Sequence, residues 1–283
     1  MLRIAIQSKG RLYEESMALL EEAGIKIPGG KRTLLVPARN FPVEVLFLRD
    51  DDIPESVASG VADVGIVGLN EVMEKRCPVG ILKKLGFGKC RLSLAIPQDI
   101  DYLDRNWFSG KKIATSYPGI LSDYLHKNGI VSDIHVITGS VEIAPGIRLA
   151  DAIFDIVSSG STLVSNRLKE VETVVESEAV LIGTDSISPE KRGILDELLF
   201  RFDSVQAADD KKYILRNVPQ KKLNDVLSVL PGIKSPTVMP LADKEWCSVH
   251  TVLDEKCFWE IINRLKTAGA EGILVLDIEK MIL

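Results

Sequence analysis

The sequence predicts an α/β protein in two lobes, completed by a smaller C-terminal domain of βαββαβ order. Three observations carry this. Short apolar strands alternate with helical patterns through most of the chain, a small polar stretch at residues 203–210 reads as a linker, and the segments after it follow a fixed strand and helix order.

Leu2, Ile4 and Ile6 alternate with Arg3, Ala5 and Gln7, the period of a half-buried strand, and Leu12, Leu19, Leu20 and Ala23 then mark a helix over 11–23 before Gly24. A second unit runs from the apolar run 43–48 through a helix at 53–58 into a strand at 63–68. Pro54 suits its first helical turn and Gly60 its stop, while Gly65 and Gly68 suit close backbone approach. Strands at 91–96 and 112–115 open a second lobe, followed by a helix over 119–128 that ends at Gly129. Strands at 134–137, 152–157 and 178–183 complete that lobe, and a helix at 191–202 follows. The expected divisions are 1–90 with about 184–204 for the first lobe, 91–183 for the second and 205–283 for the C-terminal domain. Lobes joined by crossing strands form a cleft, as in periplasmic-binding-protein-like folds, whose ligands sit at the C-terminal ends of strands. The final domain reads as strand 211–216, helix 220–230, strands 237–241 and 247–253, helix 255–268 and strand 273–277, a ferredoxin-like order.

Two or three domains suit 283 residues, and 46% hydrophobic with 27% charged residues is ordinary for a globular protein. A net charge of −5 argues against a nucleic-acid partner or an anionic membrane surface. The N-terminus turns polar too soon for a signal peptide and no segment approaches the ~20 apolar residues of a membrane span, so a cytoplasmic protein is expected. Cys77, Cys90, Cys247 and Cys257 lack C-x-x-C spacing, and the three histidines lack a metal-site pattern.

The most chemically pointed stretch is 151–162. A short apolar strand, 152–157, leads into the turn Ser158, Ser159, Gly160, Ser161, Thr162, which can aim backbone N–H groups and hydroxyls at a phosphate. Asn166 and Leu168 continue as a helix, whose N-terminus would favour the same anion. Asp151 and Asp155, four residues apart, offer acceptors to ribose hydroxyls or Mg²⁺, and Glu142 is a third carboxylate of the same kind. A capped strand-to-helix turn explains the same residue types without a ligand. Lys9, Gly10 and Arg11 stand where the first strand meets the first helix, a place that suits either an anion or solvated basic residues.

These segments, with Ile4-Ala-Ile-Gln-Ser-Lys-Gly-Arg-Leu12, Arg49-Asp-Asp-Asp-Ile-Pro54, Lys112-Ile-Ala-Thr-Ser-Tyr-Pro118 and Glu279-Lys-Met281, resemble the ATP phosphoribosyltransferase family in its long form. The likeness spans nearly the whole chain. It departs at Arg167, where the family commonly has Gly, and at Ser159, where Thr is frequent. The resemblance implies that adenine N1 of ATP displaces diphosphate from 5-phosphoribosyl 1-diphosphate (PRPP), with Mg²⁺, as the first step of histidine biosynthesis. Lys9, Arg11 and Arg32 would then meet the leaving diphosphate. Glu142, Asp151, Asp155 and Ser158 to Thr162 would hold PRPP, the three acids also serving a metal, while Gly10, Arg49, Asp63, Ser116 and Tyr117 would contact ATP. It further implies an ACT-like regulatory domain that binds L-histidine through Leu230, Gly232, Ser235, Thr237 and Ala270, and a homo-oligomer, dimer and hexamer.

Overall fold

The computed structural model describes residues 1–28, 33–230 and 236–282, and it divides into two compact units, Met1–Glu197 and Leu198–Leu283. The first unit holds two sheets. One runs in the order Leu35–Pro37, Val43–Leu48, Leu2–Gln7, Val64–Gly68, Ala179–Gly183, Gly80–Lys84. The other runs Leu168–Ser177, Cys90–Pro97, Ala152–Val157, Lys112–Thr115, Asp133–Val136. Each is mixed. Leu2–Gln7 pairs in parallel with Val43–Leu48 and Val64–Gly68, and Lys112–Thr115 pairs in parallel with both of its neighbours. The parallel strands run into helices at their C-terminal ends, which leaves their connecting loops on the side where a ligand cleft belongs.

Packing follows the expected patterns. The helix Ile53–Ala58 lies so close to the strand Val64–Gly68 that a Cβ on Gly65 would stand 2.6 Å from Ile53 Cγ2 and 3.0 Å from Val57 Cγ2, so glycine is required there. In the second sheet Leu92, Leu94, Phe154 and Ile113 join Phe108, Leu121 and Leu125 in one apolar cluster. Each such fully buried side chain stabilises by roughly 1.5–3 kcal/mol.

Three expectations are corrected. Ala179–Gly183 pairs antiparallel with Val64–Gly68 and Gly80–Lys84, so it belongs to the first sheet and not to the second lobe. The helix that leaves the turn at Gly160 is only Ser161–Ser165, and Leu168–Ser177 is a strand, because Val171, Val174 and Val175 pack on the second core and β-branched residues favour the pleat. Residues 203–208 are not a linker: the helix Pro189–Ala208 runs through them, with Leu195, Leu198, Phe202, Val205 and Ala208 buried at helical spacing.

The second unit is a four-stranded antiparallel sheet in the order Thr237–Pro240, Trp246–Asp254, Lys211–Pro219, Glu271–Asp277. Helices Leu223–Val229 and Glu255–Ala268 cover it, and Val226, Phe258, Ile261 and Leu265 meet Ile214, Val218 and Val249. The longer helix ends at Gly269, whose φ of 102° needs no Cβ. No helix among the described residues is long and apolar enough to cross a membrane.

Candidate functional site

The strand Ala152–Val157 delivers the turn 158–162 to the C-terminal edge of the second sheet. Gly160 adopts φ 80°, and the Ser159 and Ser161 hydroxyls meet at 2.9 Å. Two arginines hold the first residue of the turn. Arg11 Nη1 donates to Ser158 Oγ at 3.2 Å, and Arg91 Nη1 donates to the Ser158 carbonyl at 3.1 Å. Arg91 is itself fixed by two bonds to the Glu170 carboxylate, which also accepts from Ser93 Oγ at 2.7 Å. Hydrogen bonding from Arg91 pulls the Glu170 carboxyl down to about 2. Thr162 is exposed, with its carbonyl taken by the Asn166 amide side chain at 2.9 Å. A helix of five residues provides a turn of backbone donors here and not an extended dipole.

The acids do not gather as expected. Asp155 shares its sheet face with buried Ile153 and Val157, and burial, reinforced by nearby Glu142, pushes its carboxyl up to about 6. Asp151 sits at the opposite end of the strand, accepting from Lys112 N at 2.8 Å. Four residues of strand separate the two by about 13 Å, so they cannot serve one ribose or one ion. Among the described residues no three His, Cys, Asp or Glu side chains come together as a metal site, which corrects the reading of Glu142, Asp151 and Asp155 as one.

Other expected contacts are structural. Asp63 precedes the N-terminal end of its strand, away from the cleft edge, and its carboxylate accepts from Arg3 N and from Lys191 Nζ at 2.8 and 2.9 Å. Ser116 Oγ bonds the Ile137 carbonyl at 2.8 Å. Tyr117 is buried in the second core, so it offers no free face for stacking on adenine. Arg49 is exposed, 3.3 Å from Asp51. Lys9 and Gly10 are exposed at the start of the first helix, where Gly10 adopts φ 89°. Arg32, Gly232 and Ser235 lie outside the described residues. Of the remaining effector candidates, Ala270 and the half-buried Leu230 pack in the C-terminal core, and Thr237 is exposed at a strand start.

A cleft of about 250 Å³ is lined by Arg11, Glu15, Asn70, Glu71, Cys90 and Ser158, among others. Its Asn70 and Glu71 are buried and went unmarked in the sequence. Glu71 accepts from the Tyr117 hydroxyl at 2.8 Å and from Asn70 Nδ2 at 3.1 Å, while Ser177 Oγ donates to Asn70 Oδ1 at 2.8 Å. Burial raises the Glu71 carboxyl above its ordinary value. Nearby, Glu74 accepts from Gly119 N and Ile120 N at 2.8 and 2.9 Å, capping the first turn of Pro118–Lys127. The sequence signal was a polar pair two residues after Gly68, where a strand ends.

The comparisons with known proteins agree along the whole chain. The family model for ATP phosphoribosyltransferase matches residues 49–204, and the model for the HisG C-terminal domain matches 208–280. The chain is 70% identical to the ATP phosphoribosyltransferase of Bacteroides fragilis over 283 residues, covering 100% of both. It is 58% identical to that of Cytophaga hutchinsonii over 281 residues, covering 99% of this chain and 98% of the relative. Among solved structures, the ATP phosphoribosyl transferase (HisG:HisZ) complex from Thermotoga maritima superposes with TM-score 0.61 at 27% identity, over 71% of this chain and 98% of that one.

Proposed function

The chain belongs to the ATP phosphoribosyltransferase family, and from that premise we propose how its residues serve the first step of histidine biosynthesis. In that reaction adenine N1 of ATP forms a bond to the anomeric carbon of PRPP as the bond to diphosphate breaks. Adenine N1 is a nucleophile without help, so orientation and charge neutralisation at the leaving group supply the rate.

The turn 158–162 binds the 5′-phosphate of PRPP. Binding energy from that remote group positions the reacting carbon. Arg91, held by Glu170, positions the turn, and Asp155 accepts from the ribose. Lys9 and Arg11 neutralise the diphosphate. The single observation that carries this reading is the bond from Arg11 to Ser158, which joins the cationic helix start of one lobe to the phosphate turn of the other. ATP lies on the Asn70 and Glu71 side of the same cleft. Mg²⁺ enters with PRPP as part of the substrate, bound to its diphosphate. The C-terminal domain senses L-histidine and lowers activity, and the working protein is a homo-oligomer of dimers and hexamers.

Mixing the protein with ATP, PRPP and Mg²⁺ tests the chemistry. The near-ultraviolet absorbance of an N1-substituted adenine, with equimolar diphosphate, is expected only when both substrates are present. Absence of both products would overturn the proposal.

A further inference from the structure

The helix Leu69–Lys75 belongs by packing to the first lobe, since Leu69 and Val72 lie against the cluster that holds Ala5, Ile53, Val57 and Ile182. Its polar groups turn to the second. Asn70 N donates to Ser177 Oγ at 3.1 Å and Leu69 N to the Glu178 carbonyl at 2.9 Å, both where the chain crosses from the second sheet back to the first. Glu71 takes the Tyr117 hydroxyl, and the half-buried Glu74 then receives Gly119 N on Oε1 and Ile120 N on Oε2. Arg76, at φ 52°, ends the helix and donates to the Gly119 carbonyl at 3.1 Å and to Asp123 at 2.7 Å. Ile120 and Leu121, beside those partners, are buried in the second core.

A carboxylate that accepts two backbone N–H groups at a helix N-terminus makes a charge-assisted, two-point contact, which fixes an angle as well as a distance. The exposed pair of Arg76 and Asp123 adds little to it. The fit is close: a Cβ on Gly119 would stand 3.0 Å from Glu74 Oε1 and 3.2 Å from Oε2. Elsewhere the lobes meet through the exposed Arg11, whose bond to Ser158 is light. The angle at which Arg11 reaches the turn is therefore set at the Glu74 joint.

We propose that Glu74 is a positioning residue for the reaction: its carboxylate fixes the two lobes at the angle that brings Arg11 to the turn 158–162. It acts through Arg11 and not on a substrate. The inference rests on the reading of Arg11 and that turn as parts of one active site. Misplacing a reacting group by about 1 Å costs up to roughly 100-fold in rate, so a joint remote from the chemistry is felt in turnover.

The test measures kcat with ATP, PRPP and Mg²⁺, PRPP affinity by calorimetry, and melting temperature, in the full chain carrying Glu74→Ala, Glu74→Gln, Arg11→Ala, or Glu74→Ala together with Arg11→Ala. Well below its melting temperature Glu74→Ala is expected to lower kcat roughly 10- to 100-fold and to leave PRPP affinity within about twofold, since the turn lies wholly in the second lobe. Glu74→Gln keeps the shape and one acceptor, so its kcat falls between. Because Glu74 acts through Arg11, the double variant should be little slower than the slower single one. A lower melting temperature with wild-type kcat in Glu74→Ala would overturn the proposal and leave Glu74 a helix cap. So would losses that multiply in the double variant, or an Arg11→Ala protein as fast as wild type. If Glu74→Ala does not fold, Glu74→Gln decides: wild-type kcat overturns the proposal, and a reduced kcat with wild-type PRPP affinity supports it. A wild type that forms no product sinks the functional reading and this inference with it, a result distinct from the others.

Discussion

Arg11 Nη1 lies 3.2 Å from Ser158 Oγ across 147 positions of sequence, and the hydroxyl that receives it opens the turn 158–162. The same exposed guanidinium also bonds half-buried Glu15 at 3.1 Å, an i,i+4 pair worth only a few tenths of a kcal/mol. Arg11 is thus held lightly and is available to a stronger anion.

Arg11→Ala is expected to lower kcat with little change in substrate affinity, because the charge it meets grows as diphosphate departs. Loss of one charged hydrogen bond, about 1.5–3 kcal/mol, corresponds to a roughly 10- to 150-fold slower chemical step. Single-turnover mixing with ATP and PRPP checks this. An unchanged chemical step would make Arg11 a solvated helix residue.

Legibility in the sequence depended on punctuation. The C-terminal βαββαβ order could be read because Gly269 and the prolines at 219 and 240 interrupt clean apolar periods. The end of Pro189–Ala208 could not be read that way, since Asp203, Ser204 and Gln206 resemble a linker until the fold buries Val205 and Ala208. Sheet membership of Ala179–Gly183 is a tertiary fact that its apolar run does not encode. In the site, the glycine turn 158–162 was legible as a local motif. Spacing alone was misleading for Asp151 and Asp155, because four residues on a strand place two groups on one face at opposite ends. The Glu71, Tyr117, Asn70 network was hidden, since each of those residues has an ordinary local context and their meeting comes from lobe packing.

Glu170→Gln should raise the KM for PRPP roughly 5- to 30-fold and leave that for ATP nearly unchanged, as about 1–2 kcal/mol of charge-assisted bonding to Arg91 is lost and the turn loosens. Its stability effect has a defined sign. The folded carboxyl titrates at about 2, below its ordinary 4.5, so the contribution is complete above about pH 4.5 and fades as pH falls toward 2. Urea melts of wild type and variant should therefore differ at pH 7 and converge in acid. A gap that is constant with pH would show that the ionised pair is not its source.

Asp155→Asn is expected to trade activity for stability. The folded carboxyl titrates at about 6, above its ordinary 3.8, so burial opposes ionisation and the penalty is absent below about pH 3.8 and complete above about 6. The variant should be more stable by roughly 1–3 kcal/mol at pH 7.5, with the difference vanishing toward pH 4, and it should turn over PRPP more slowly. Denaturant melts at pH 4.5 and 7.5, paired with the absorbance assay, check both halves.

The central claim is that the turn 158–162 is the seat of PRPP, and the most direct measurement is separate calorimetric titration of PRPP and ATP into wild type and Thr162→Val. Removing one hydroxyl donor from a charged phosphate should weaken PRPP by roughly 10- to 150-fold and leave ATP affinity within about twofold. Equal losses for the two substrates, or unaltered PRPP affinity in a folded variant, would contradict that assignment.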